Sequence, residues 1–156
     1  MQVIVATDGS KASLVAAQQF KILADPGAID EIVVVAVVSP LAVVPFDNEL
    51  SHRPPPSSEN AADLSFEAEA RAATAALMSE FEGWGPPVSR RLRSGSPASE
   101  IIKVAEELPA DLIVVAAGAR GLTSTILIGS TAQKLQHSAP CSVLVSRRAP
   151  HSAQRG

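Results

Sequence analysis

Three stretches of this chain are apolar without any polar alternation: VIVA at 3–6, IVVVAVV at 32–38 and LIVVAA at 112–117. A strand with one wet face interleaves polar residues at every second position, so these runs predict strands covered on both faces. Between them lie helical patterns. Ala12, Val15, Ala16, Phe20 and Leu23 recur at three- and four-residue steps after Ser10, a plausible N-cap, and Pro26-Gly27 ends the series. Ala62, Phe66, Ala70, Ala73, Leu77 and Phe81 share one stripe while Glu67, Glu69, Arg71 and Glu80 lie elsewhere, which predicts a long amphipathic helix closed by the turn sequence GWGPP at 83–87. Ser96-Pro97 opens another helix with Ile101, Val104, Ala105 and Leu108 inward, and a last helical pattern covers 131–138 before Pro140. VSRRLR at 88–93 is polar enough for a strand near a sheet edge, and SVLVS at 142–146 is the final strand.

Five strands alternating with four helices specify an α/β fold, a doubly wound parallel sheet with helices on both faces, because each right-handed crossover lays its helix on the sheet. The chain of 156 residues is expected to form one domain over 1–146. Residues 39–60, with Pro40, Pro45, Pro54, Pro55 and Pro56, read as an extended, mobile loop, and 147–156 as a flexible tail. Forty-six per cent apolar residues supply a core. Thirteen basic against sixteen acidic side chains, with no basic block, argue against nucleic acid as a partner. The single cysteine, Cys141, allows no internal disulfide, and no Cys/His spacing fits a structural metal. With neither a signal-peptide pattern nor a membrane-spanning stretch, the expected location is cytoplasmic.

In a doubly wound sheet ligands bind beyond the carboxyl ends of the strands, so the residues just after each strand carry the chemistry. The first strand runs into Ala6-Thr7-Asp8-Gly9-Ser10, which puts a carboxylate and a hydroxyl at the crevice. Asp8 there either caps the following helix or holds a ribose hydroxyl, a ring amine or a metal-bound water. After the fourth strand comes Gly118-Ala119-Arg120-Gly121, and Gly129-Ser130-Thr131 opens the last helix. Glycine lets backbone approach a phosphate, and a helix N-terminus offers free N–H groups and the positive end of its dipole.

VIVATDGS at the start, ADLIVVAAGARG, the GST at 129–131 and APCSVLV near the end together resemble the universal stress protein family across nearly the whole chain. The resemblance implies a flavodoxin-like, adenine-nucleotide α-hydrolase-like sheet of order 3-2-1-4-5 that binds ATP with Mg²⁺ and dimerises through its last strand. Val143, Leu144 and Val145 there form a short apolar edge that pairing with a second copy would cover. ATP-binding members carry G-x2-G-x9-G followed by Ser or Thr, and this chain departs from that pattern. With Gly118 and Gly121 as the first two glycines, the spacer to Gly129 is seven residues, 122–128, instead of nine. With the spacing kept, the positions become Ala116, Ala119 and Gly129, and Val115 precedes them as an adenine contact. An alanine forced to positive φ costs about 1–2 kcal/mol, and roughly 1.4 kcal/mol is tenfold in affinity, so weakened ATP binding is expected. By the same resemblance Ala6 and Asp8 border the adenosine, Val37 touches the adenine, Gly129, Ser130 and Thr131 receive phosphate, Arg120 supplies charge, and Asp8 reaches the magnesium.

Other nucleotide and cofactor readings find no support. No G-x4-G-K-[ST] follows a strand, and the first strand is not followed by G-x-G-x-x-G. A phosphate-accepting receiver would need an aspartate and a lysine where Ser94-Gly95 and Ser146-Arg147 stand. Flavin would want aromatic stacking, yet the chain has no tyrosine and one tryptophan, Trp84, in a turn. His137 late in the last helix suits the dipole, His52 and His151 fall in the loop and tail, and Cys141 has no base beside it in sequence. The expected protein is a dimeric, nucleotide-responsive regulatory module with an unidentified protein partner and at most slow ATP hydrolysis. A nucleotide-free interaction module is one alternative, and a slow ATP hydrolase in which Asp8 orients a magnesium-bound water is the other.

Overall fold

The computed structural model describes residues 1–38, 59–118 and 129–147. β1 (Gln2–Thr7) leads into α1 (Lys11–Leu23), and a single 3-10 turn (Pro26–Ala28) into β2 (Glu31–Val38). Then follow α2 (Glu59–Glu80), β3 (Val88–Ser94), α3 (Pro97–Glu107), β4 (Leu112–Ala116), α4 (Ser130–Ser138) and β5 (Ser142–Ser146). All neighbouring strands run parallel, in the order β3-β2-β1-β4-β5. The expected loop over 39–60 ends earlier than its composition indicates, because Glu59 and Asn60 already belong to α2. Its remainder, and the tail from 148 onward, lie outside the described residues.

The apolar runs are buried on both faces for the expected reason. Successive side chains point to opposite faces. Ile4 and Ala6, with Val33, Val35, Val37, Ile113 and Val115, pack under α3 and α4 against Ile101, Val104 and Leu135. Val3 and Val5, with Ile32, Val34 and Val114, pack under α1 and α2 against Ala16, Phe20, Leu77 and Phe81. On that second face Trp84 closes the layer, its ring centroid 5.9 Å from Phe20 and 5.8 Å from Phe81.

Two face assignments fail, one inward and one outward. Leu23 is 72% exposed, because the four-residue step from Ala16 through Phe20 continues to Ala24, the C-cap residue, which packs on the core instead. Glu69 is 4% exposed, since α2 buries a broad arc that also takes in Ala70, Ala73 and Thr74. The Thr74 hydroxyl satisfies itself on the Ala70 carbonyl at 2.9 Å. Ser96 stands at the N-cap of α3 with Pro97 in its first turn, as expected, but its side chain makes no capping bond.

The two sheet edges differ. β3 carries Arg91 and Arg93, both paired with Glu107 of α3, beside the exposed Arg90. β5 has no charged side chain, and Val143, Leu144 and Val145 are half-buried rather than bare, packing on the cores of the two faces. Among the described residues no helix is long and apolar enough to cross a membrane.

Phe20→Ala is expected to lower stability by about 3–5 kcal/mol, read in urea through the emission of Trp84, the chain's one tryptophan. Ile22→Ala, at a side chain 83% exposed, should stay within about 0.5 kcal/mol. Equal losses would contradict this account of the layer.

Candidate functional site

The strand order reverses its winding at β1, which pairs with β2 on one side and β4 on the other. The crossovers on the two sides leave in opposite directions and part at the carboxyl ends of the strands. The cleft that opens there is lined by Ala6, Val37, Ile101 and Val115 as an apolar floor, with Pro97 and Ala116 at its sides. Thr7, Asp8, Ser13 and Thr131 supply its polar groups.

The turn after β1 is held by a closed set of hydrogen bonds. Ser13 Oγ donates its one proton to the Ser10 carbonyl at 2.7 Å, so at the 2.8 Å contact between the two hydroxyls Thr7 is the donor and Ser13 the acceptor. The Gly9 N–H donates back to Thr7 Oγ1 at 3.1 Å. Thr7 therefore spends its proton inside the turn. Asp8 is not the helix cap. Ser10 is, accepting from the Ser13 N–H at 3.3 Å, and Asp8 Oδ1 in turn accepts from both the backbone N–H (3.0 Å) and the hydroxyl of Ser10. The carboxylate of Asp8 orders the turn while the residue stays exposed at the mouth of the cleft.

On the opposite wall, β4 ends at Ala116, and the Ala117 N–H continues the ladder to the Ser146 carbonyl at 2.9 Å. Gly118 then turns the chain at φ +116°, a conformation side chains with a Cβ rarely adopt. A Cβ there would meet Gly129 Cα at 3.3 Å, and one on Gly129 would meet Gly118 Cα at the same distance. The two glycines lie backbone to backbone, with the Gly129 N–H donating to the Ala117 carbonyl at 2.6 Å. Gly129 is the N-cap of α4 and has no side chain to cap it, and no acidic residue stands in the first turn. Among the described residues no side chain caps the first N–H groups of the helix, and its positive dipole end lies beside Thr131.

Of the residues singled out in the sequence, Ala6, Thr7, Asp8, Val37, Val115, Ala116 and Thr131 come together around the cleft, and Gly118 with Gly129 flanks it. Ser130 begins α4 exposed, outside the lining. Ala119, Arg120 and Gly121 lie outside the described residues. Pro97 and Ile101 enter the sequence reading only as helix positions, and Ser13 does not enter it. The clue to Pro97 and Ile101 was that α3 starts from the same carboxyl end of the sheet, and to Ser13 that it stands three residues after the N-cap, on the turn facing Thr7. Among the described residues no group of three or more His, Cys, Asp and Glu could hold a metal. Burial pushes the Cys141 thiol up from its ordinary pKa and the nearby Asp111 charge adds to this, opposite to what a nucleophile needs. His137 is exposed in the last turn of α4.

Comparison with known proteins agrees with this architecture. Residues 1–147 match the universal stress protein family. A universal stress protein of Methanocaldococcus jannaschii is 31% identical over 148 residues, 94% of this chain and 82% of that protein. Two solved structures share the fold. One is a universal stress protein in complex with cAMP, at TM-score 0.59 and 21% identity, over 96% of this chain and 98% of the other. The other is a universal stress protein family protein of Arabidopsis thaliana with AMP bound, at TM-score 0.65 and 15% identity, over 99% and 96%.

Gly118→Ala and Gly83→Ala both place alanine at positive φ, +116° and +73°, but nothing lies within 4 Å of a Cβ at Gly83. Each is expected to lose about 1–2 kcal/mol from the backbone, with a further loss at Gly118 from pushing Gly129 away. Urea midpoints that fall equally would show that the glycine pair is not in contact.

Proposed function

The chain belongs to the universal stress protein family, and we propose that it acts there as an adenine-nucleotide-responsive binding module rather than as an efficient enzyme. The observation that carries this reading is the cleft itself, with an apolar floor that includes Val37 and Val115 for a purine, Asp8 at the mouth and the N-terminus of α4 beside Thr131. A planar base gains from the apolar floor, a ribose or a magnesium-bound water from the carboxylate, and phosphate from the helix N-terminus. Nucleotides bound to other proteins of this fold, cAMP and AMP, support the choice of adenine.

ATP is proposed as the ligand, bound with Mg²⁺ and more weakly than a full glycine loop would hold it. The φ of +116° at Gly118, against the strand conformation of Ala116, favours Gly118, Gly121 and Gly129 as the glycines of the motif, with a spacer shorter by two residues. A shorter span brings fewer N–H groups to the phosphates. We further propose a homodimer through β5, whose Val143, Leu144 and Val145 present the uncharged sheet edge, and a cytoplasmic protein partner that reads the nucleotide state.

Nucleotide released from the denatured protein and titration calorimetry with ATP and Mg²⁺ test the first claim. Adenine nucleotide should be found or bound, and Asp8→Asn, which keeps the acceptor for Ser10 but removes the charge, should weaken Mg-ATP about tenfold. A protein that carries no nucleotide and gives no binding heat would leave a nucleotide-free interaction module. Sedimentation should give a dimer at micromolar concentration that Leu144→Lys converts to monomer, and a wild-type monomer there would remove the dimer claim.

A further inference from the structure

We propose that Gln19, which lines no part of the cleft, is a positioning residue that holds the cleft's β4 wall in register with its β1 wall. The inference rests on the reading of the cleft as a nucleotide site. α1 touches both walls. At its start Ser10 and Ser13 fix the turn after β1. Six residues beyond Ser13, about 9 Å along the helix axis, the amide of Gln19 reaches the far end of β5.

There both halves of the amide are used. Gln19 Oε1 accepts from the Ser146 hydroxyl, and Gln19 Nε2 donates to the Arg147 carbonyl at 3.3 Å. Glutamine is suited to this because it carries an acceptor and a donor on one rigid planar group. Ser146 is buried and stands in register with Ala116 of the cleft wall. Its carbonyl accepts the Ala117 N–H at 2.9 Å, and the Ala117 carbonyl accepts the Gly129 N–H at 2.6 Å. The route from Gln19 to the start of α4 is therefore four hydrogen-bonded residues long, Gln19, Ser146, Ala117 and Gly129, and two of its three links are made by Ser146 at the end of β5, which within one copy of the chain has a neighbouring strand on one side only. An edge end is the part of a sheet most prone to fray, and the clasp restrains it.

Amide hydrogen exchange on the intact chain, with ATP titration beside it, tests this. In Gln19→Leu, which fills similar space without either bond, the Ala117 and Gly129 amides should exchange about tenfold faster, while the Val5 and Val34 amides in the centre of the sheet keep their rates. ATP affinity should fall about fivefold. Gln19→Glu keeps the acceptor for Ser146 but not the donor for Arg147, and should lie between the two. Unchanged exchange at Ala117 and Gly129 overturns the clasp whatever ATP does, and so does a rise spread evenly over the sheet, which marks a general loss of stability. A wild-type protein that takes up no ATP while exchange still rises locally in Gln19→Leu overturns the nucleotide reading and supports the clasp.

Discussion

Everything in this molecule depends on the need to hydrogen-bond the backbone of β1 on both sides at once. Val3, Ile4 and Val5 are fully buried, so no water reaches the peptide groups between them. Partners must come from strands on either side, β2 and β4, in continuous register. Parallel pairing then requires a crossover for every connection, and the helices of those crossovers cover the two faces. The cleft follows without further design, because crossovers diverge only where the winding reverses. Its floor is apolar because Ala6, Val37 and Val115 are the last inward residues of strands whose other members form the core.

The sheet was legible because its signal is coarse. An unbroken run such as IVVVAVV at 32–38 has no exposed face to offer, and no finer detail alters that. Helix faces are harder to read, since three- and four-residue steps compete at every turn. Leu23 and Ala24 both continue the series from Phe20, and only the line of the helix over the sheet selects Ala24. Glu69 shows the opposite error, in which a charge marks a face as wet although a broad contact covers it.

The site was legible as a place more than as a set of bonds. The rule about carboxyl ends led to Ala6, Asp8 and Thr131, and the family resemblance to Val37 and Val115, without knowledge of any contact. The role of Asp8 as the acceptor that orders Ser10, with Ser10 as the cap, required the backbone conformation of the turn. Ser13 was invisible for the same reason, because a serine inside a helix is ordinary until its hydroxyl is found opposite a threonine. Gly118 stood as one of two alignments in sequence, and only its φ separates it from Ala116.

The unlike edges of the sheet bear on how copies of this chain can associate. A parallel sheet with two similar edges can in principle be extended head to tail, the β5 of one copy against the β3 of the next, and such a contact never closes. Here the β3 side carries three guanidinium groups against the one carboxylate of Glu107 in its ion pairs. Bringing an apolar strand alongside would strip water from those charges without providing counter-charges. Head-to-tail growth through the β3 edge is thereby disfavoured.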